Sequence, residues 1–160
     1  MHRFKSLALA LAAVAGLAGA PAVAMMSTDP TPTKSRAYLD GERAVKAKDY
    51  AKAIPLLQQV INGDPRDADA HNLLGYSYRK TGNTQSALAY YQRALQLDAN
   101  HRGANEYLGQ LYVEMKDIPK AEERLQKLAQ LCQQRCEEYR DLKEAIDKAK
   151  AGAAAPRTGS

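Results

Sequence analysis

Between residues 34 and 150, apolar and small positions recur at three- and four-residue steps, interrupted at regular intervals by short polar stretches. That is the pattern of amphipathic helices. It predicts seven of them, near 36–47, 50–62, 68–80, 84–97, 102–115, 119–131 and 136–150. A longer period overlies the helical one. Gly41, Gly75 and Gly109 stand 34 residues apart, and Ala53, Ala87 and Ala121 keep the same spacing, each twelve residues after its glycine. A 34-residue period of helices marks a helix–turn–helix solenoid, in which each unit buries its apolar face against its neighbours. The small residues are expected where the two helices of a unit cross, because a larger side chain would push them apart.

The middle copy carries the pattern most fully: His71, the Leu74-Gly75 pair and Tyr78 on one helix, then Ala87, Tyr91 and Ala94 on the next. The third has Leu108-Gly109 and Tyr112, then Ala121, Leu125 and Leu128; the first has Gly41, Ala44, Ala53, Leu57 and Val60, closed by Pro65. This resembles the tetratricopeptide repeat, whose signature runs W-x2-L-G-x2-Y, then A-x3-F, then P. There are departures: no tryptophan opens any copy, Asp40 replaces the leucine in the first, and only that copy keeps the closing proline. The resemblance implies an all-α, right-handed solenoid of three repeats, at 34–67, 68–101 and 102–135. In a seventh helix, at 136–150, Tyr139, Leu142 and Ile146 continue the apolar phase, while Glu137, Arg140, Asp141, Lys143, Glu144, Asp147 and Lys148 make a polar outer face. One apolar and one polar face is how a solenoid is capped.

Several local features refine this picture. Asn83 or Thr84 is placed to cap the fourth helix and Asp117 the sixth, with Pro119 in the sixth helix's first turn, where its missing N–H costs nothing. Pro55 falls inside the second helix and is expected to bend it slightly. With one Phe and no Trp, the core must come from Leu, Ala and Tyr. Most of the nine tyrosines are expected to pack with the hydroxyl at the rim.

The first residues read as a targeting segment. Arg3 and Lys5 give a basic start, an apolar run from Leu7 to Ala20 is short for a bilayer span, and Ala22-Val23-Ala24 is a small-x-small cleavage site. A signal peptide over 1–24, cleaved near Ala24, implies the periplasm and no integral membrane segment afterwards. Residues 25–33 read as a flexible linker and 151–160 as a disordered tail. Without Arg3 and Lys5 the 23 basic residues fall by two against 18 acidic ones, so the charge drops from +5 to +3. That excess is scattered, which argues against a nucleic-acid partner.

Candidate chemistry is sparse. Cys132 and Cys136 are the only cysteines and straddle the junction of the sixth and seventh helices. In an exported protein their pairing in a structural disulfide is favoured; a redox or metal-handling dithiol is the alternative. His71 and His101 lie a repeat away from the pair, so no metal set is completed. No Gly-x-Ser-x-Gly, phosphate loop or H-E-x-x-H is present, so neither an enzyme nor a cofactor is expected. Glu122-Glu123 and Glu137-Glu138 read as solvated helix faces.

The resemblance implies a protein or peptide partner held in a groove lined by the first helix of each repeat. The matching positions are Tyr38, Glu42 and Lys46, then Asn72, Tyr76 and Arg79, then Glu106, Gln110 and Glu114. These side chains suit hydrogen bonding to an extended or helical segment. The family's carboxylate clamp needs Lys and Asn where this chain has Tyr38 and Glu42, and Asn with a Lys/Arg pair where it has Leu73, Gly103 and Tyr107. Capture of an acidic C-terminus is therefore not expected.

Overall fold

The computed structural model describes residues 34–154. The signal-peptide and linker expectations lie outside the described residues, as does the tail from 155 on. Seven helices follow one another: α1 (Arg36–Lys46), α2 (Tyr50–Gly63), α3 (Ala68–Lys80), α4 (Thr84–Leu97), α5 (Arg102–Glu114), α6 (Ile118–Cys132) and α7 (Glu137–Ala154). Among the described residues there is no strand. The molecule is an all-α solenoid, with α7 stacked on α5 and α6.

Six successive helix starts are capped by a side chain that accepts a backbone N–H of the first turn. Ser35, Asp49, Asp67, Asn83 and Asp117 do so with oxygen, toward Tyr38, Lys52, Ala70, Ser86 and Lys120. His101 uses its ring, Nδ1 accepting the Ala104 N–H at 3.1 Å. These bonds satisfy donors that would otherwise be unpaired at a helix start.

One turn is used three times. After α1, α3 and α5 the chain passes through a left-handed residue, Lys48 (φ 61°), Gly82 (φ 84°) and Lys116 (φ 62°). The next residue returns its N–H to a carbonyl five back: Asp49 to Ala44, Asn83 to Tyr78 and Asp117 to Tyr112, at 2.8–2.9 Å. That same residue then caps the following helix. Helix stop and helix start are thus fused in two residues, which fixes the hairpin angle of each repeat. Only the middle copy supplies the glycine that the left-handed conformation favours.

The core passes from repeat to repeat. Ala44, Ala53, Leu57 and Leu74 form one cluster, Ala87, Tyr91, Leu108 and Leu111 the next, and Ala121, Leu128, Leu142 and Ile146 the last. A Cβ built on Gly41 would stand 2.9 Å from Leu57 Cγ, and one on Gly75 2.6 Å from Tyr91 Cδ1. Both are distances that real Cβ atoms do not adopt, so these glycines let the two helices of their repeat touch. Gly109 differs. Its Cβ would meet Arg124 Cβ of α6 at 3.2 Å and, more closely, the methyls of Leu142 on α7.

Two expectations are corrected here. The final helix does not stop at 150; it continues to Ala154, so residues 151–154 are helix and not tail. The reason is composition: Ala149 to Ala154 is five parts alanine and lysine to one glycine, and alanine is the strongest helix former. Tyr91 does not place its hydroxyl at a rim. The whole side chain is buried, and burial drives its phenol pKa well above the ordinary range, against the lowering pull of Arg79. Pro55 lies on the exposed side of an unbroken α2.

Candidate interaction face

The face built by α1, α3 and α5 begins with a polar ladder. Lys34 reaches Asp67 at 3.0 Å and Asp69 at 2.7 Å, and Asp69 Oδ1 lies 3.0 Å from His101 Nε2. Because His101 Nδ1 is occupied as a cap acceptor, Nε2 carries the proton and donates. The His101 hydrogen bond, followed by those from Lys34, holds the Asp69 carboxyl far below the usual carboxylate range. This ladder ties the starts of α1, α3 and α5 together across three repeats.

Beside it runs a row of rings. Tyr50 and Tyr76 meet edge to face at 6.0 Å between centroids, Tyr76 and Tyr107 at 4.8 Å, and Tyr107 and Tyr91 at 6.2 Å. Lys80 Nζ sits 5.3 Å above the Tyr76 ring. Tyr50, Tyr76 and Tyr107 are partly exposed, so the row presents amphipathic surface while its inner end, Tyr91, closes the core. Of these, Tyr76 was anticipated as a groove residue. Tyr50 was not, because it opens α2 and the groove was drawn from first helices alone.

The remaining expected residues divide. Glu42 and Gln110 are partly exposed, with Glu42 paired to Lys46 and Gln110 Nε2 donating to Glu106 Oε1 at 2.7 Å. Tyr38 is core and not open wall: it is buried with Val60 and Ala70, and burial raises its phenol to about 12. Asn72 and Glu106 retain only 6% and 7% of their surface. Both stand 34 residues in phase with Tyr38, and that register position faces inward in all three repeats.

Arg79 is the largest departure. It does not point away from the inter-helix core: its side chain is 8% exposed. It stands in phase with Val45 and Val113, whereas Lys80 is the true counterpart of Lys46 and Glu114. Its guanidinium donates through Nε and a terminal nitrogen to Glu114 Oε1, at 3.0 and 2.8 Å, joining α3 to α5. Burial opposes its charge, but the Glu114 hydrogen bond and negative charge, helped by Tyr91, together outweigh it, so its pKa is raised.

At the α7 end the sequence reading missed a constellation. A half-open cavity is lined by Gly103, Glu106 and Tyr107 of α5 and by Glu137, Glu138 and Asp141 of α7. Burial first, then Asp141 and Glu138, push the Glu106 carboxyl up to about 8. Glu137 is exposed as expected, but Glu138 is half-buried and so is not simply a solvated residue. The signal was legible only in part: Glu106 falls on the inward register position, but the approach of α7 does not follow from spacing.

Cys132 and Cys136 bring their sulfurs within 2.17 Å, with Cα atoms 5.7 Å apart, across the left-handed pair Gln133 and Gln134. Among the described residues no group of three His, Cys, Asp or Glu side chains is placed to hold a metal, and no helix is long and apolar enough to cross a membrane.

Two family models, each described as tetratricopeptide repeat, match residues 38–102 and 78–146. The chain belongs to the tetratricopeptide repeat family. Such repeats generally mediate protein–protein interaction. The first tetratricopeptide domain of Spaghetti (RPAP3), bound to the HSP90 peptide SRMEEVD, superposes with a TM-score of 0.65 over 74% of this chain and 91% of that one, at 15% identity. MamA from Desulfovibrio magneticus RS-1 gives 0.58 over 62% and 56%, at 29% identity. In sequence, the uncharacterised protein ycf37 of Pyropia yezoensis is 32% identical over 55% of this chain and 46% of its own length. Cellulose synthase operon protein C of Escherichia coli K12 is 40% identical over 39% of this chain and 5% of its own. The chain thus spans less than half the length of these two sequence relatives.

Proposed function

We propose that this protein is a non-enzymatic scaffold of the bacterial cell envelope, exported to the periplasm after cleavage near Ala24, which holds a peptide or protein segment on the face of α1, α3 and α5. The row Tyr50–Tyr76–Tyr107 carries the reading. Half-exposed tyrosines offer large, rigid area with a hydrogen-bonding tip, the composition in which binding energy concentrates. Glu42, Gln110 and Lys80 around them supply polar contacts for a peptide backbone. Arg79, Asn72 and Tyr38 shape this surface from beneath and are not its contact points.

The partner differs from the acidic peptide in the Spaghetti complex. Tyr38 and Glu42 stand where a carboxylate clamp needs Lys and Asn, and Arg79, the buried cation nearest the centre, is already held by Glu114. The test is selection from a displayed peptide library on the purified protein, followed by calorimetry of the selected peptides. Tyr76→Ala should weaken them about tenfold or more while the protein remains folded and helical. Peptides that bind Tyr76→Ala as well as wild type would dismiss this face. Export is checked separately, by the intact mass of protein recovered from the periplasm, which should lack residues 1–24.

A further inference from the structure

The corner between α6 and α7 is built unlike the others. Helices α1 to α6 each begin under a side chain that accepts a first-turn N–H, whereas among the described residues none does so for α7. Its N-cap position belongs to Cys136, whose carbonyl takes the Arg140 N–H at 3.4 Å and whose sulfur is bonded to Cys132. Elsewhere among the described residues left-handed residues occur singly. Here Gln133 and Gln134 are consecutive, at φ 51° and 65°, and neither is glycine. That conformation disfavours any residue carrying a Cβ. The Arg135 N–H returns to the Cys132 carbonyl at 3.0 Å, but no side chain caps the turn. The covalent bond holds a corner that is otherwise weakly held.

As a permanent staple this bridge does little. Only three residues separate the cysteines, and so short a loop removes little freedom from the unfolded chain. The body of α7 is docked without it, through Leu142 and Ile146 packed on Ala121 and Leu128. Both cysteines are half-buried and Gln133, Gln134 and Arg135 between them are exposed, so a thiol in solution can reach the sulfurs. Each sulfur also has a place once the bridge is open. Cys132 Sγ lies 3.1 Å from the Leu128 carbonyl, to which a thiol proton can be donated. Cys136 Sγ stands at the cap position from which a side chain accepts in the six preceding helices. A dithiol form with partners of its own makes a bridge easier to reduce.

We propose that Cys132–Cys136 is a reversible redox site, exchanged by thiol reductants, whose state sets the order of the first turn of α7. A reductant thiolate attacks one sulfur and displaces the other as a thiolate, which takes up a proton. A second reductant thiolate attacks the reductant's sulfur in the mixed disulfide and releases the remaining cysteine, which is protonated in turn. Two electrons pass to the cysteines, and the reductant leaves as its own disulfide. With the bridge open, Gln133 and Gln134 can leave the left-handed region and the turn from Glu137 to Arg140 frays, while Leu142 and Ile146 keep the rest of α7 in place. Glu137 and Glu138 of that turn line the same cavity as Tyr107, the last exposed ring of the row, so the redox state reaches the interaction face. The site itself does not depend on what that face binds.

The experiment holds the purified protein, without denaturant, in buffers of reduced and oxidised glutathione, then quenches with acid and alkylates free thiols for intact mass. Half or more of the bridge should open in roughly 10 mM reduced glutathione, which a permanent structural bridge resists, and it should reclose when oxidised glutathione is added. Hydrogen exchange of the two forms should show the amides of Arg140 to Lys143, which bond back to the first turn, exchanging about tenfold faster or more in the reduced protein, with α1 to α4 unchanged. The protein carrying both Cys132→Ser and Cys136→Ser should exchange like the reduced form in every buffer. A bridge that stays closed in the native protein and opens only in urea overturns the proposal. So does opening with no change in α7, or a pair that remains two thiols under oxidised glutathione. Selected peptides that ignore Tyr76 would remove the groove reading and leave this site untouched.

Discussion

Gly109 rests against Leu142, thirty-three residues on and one helix further than the repeat's own crossing requires. In the first two repeats the glycine meets the second helix, Gly41 against Leu57 and Gly75 against Tyr91. The position in phase with those two is Leu125, which is only partly buried. Here α7 makes the contact instead, placing a fully buried leucine in the space that the missing Cβ leaves. Through Leu142 and Ile146, α7 is part of the third repeat's core.

It follows that Gly109→Ala should destabilise the protein by about 1–3 kcal/mol through overpacking. The effect should be relieved when Leu142 is also cut back to alanine, because the two substitutions share one space. Urea unfolding of the two single variants and the double reads this as a coupling energy. Strict additivity would mean that Gly109 does not abut Leu142 in solution. Gly75→Leu is the control in the middle repeat, and it should cost at least as much, since the Tyr91 ring is buried and has nowhere to move.

The three hairpin turns give a prediction of opposite sign. Lys48 and Lys116 occupy the left-handed conformation that Gly82 occupies in the middle repeat. That conformation costs a non-glycine residue about 1–2 kcal/mol, partly balanced by the freedom a glycine adds to the unfolded chain. Lys48→Gly and Lys116→Gly should each stabilise the protein by up to about 1 kcal/mol, while Gly82→Ala should destabilise it by a similar amount. Thermal melts of the three variants check the signs. A drop in melting temperature for both lysine variants would show that those side chains contribute contacts outweighing the strain.

Glu106 makes stability depend on pH in a defined window. Its folded carboxyl titrates near 8 against an ordinary value of 4.5. Below about pH 4.5 folded and unfolded chains both hold the proton. Between there and about 8 the unfolded chain releases it first, so stability falls as pH rises, and it levels off above. Glu106→Gln should flatten this slope and be the more stable protein at pH 9, by about 1–3 kcal/mol. Urea midpoints at pH 5 and pH 9 for both proteins measure it; parallel curves would place Glu106 in water.

The cysteines should act locally. With only three residues between them, a bond joining Cys132 to Cys136 constrains little of the unfolded chain, about 2 kcal/mol at most. Its consequence should appear at the α6–α7 corner. Changing both to serine should speed amide exchange in α7 with little change in α1 to α4, since a solenoid transmits contacts only between neighbours. Uniform exchange across α7 before and after the change, combined with rapid reaction of free thiols, would favour the dithiol reading.

Much of this molecule was legible from spacing. The period of 34 with small residues in phase sets the helix count, the helix ends to within a few residues, and the neighbour-on-neighbour architecture, because each of those follows from local geometry repeated. The caps Asn83 and Asp117 were equally readable, since a cap acts within its own first turn. Depth within the face was not. Tyr38, Asn72 and Glu106 share a register position that spacing marks as facing the groove, yet the packing of successive first helices covers it, and Arg79 sits one residue off the outward row and turns inward to Glu114. The docking of α7 lay equally beyond reach, because nothing in the 34-residue phase tells whether Gly109 meets Leu125 or Leu142. That choice is made by close packing between elements, and it is what brings Glu138 and Asp141 to Glu106.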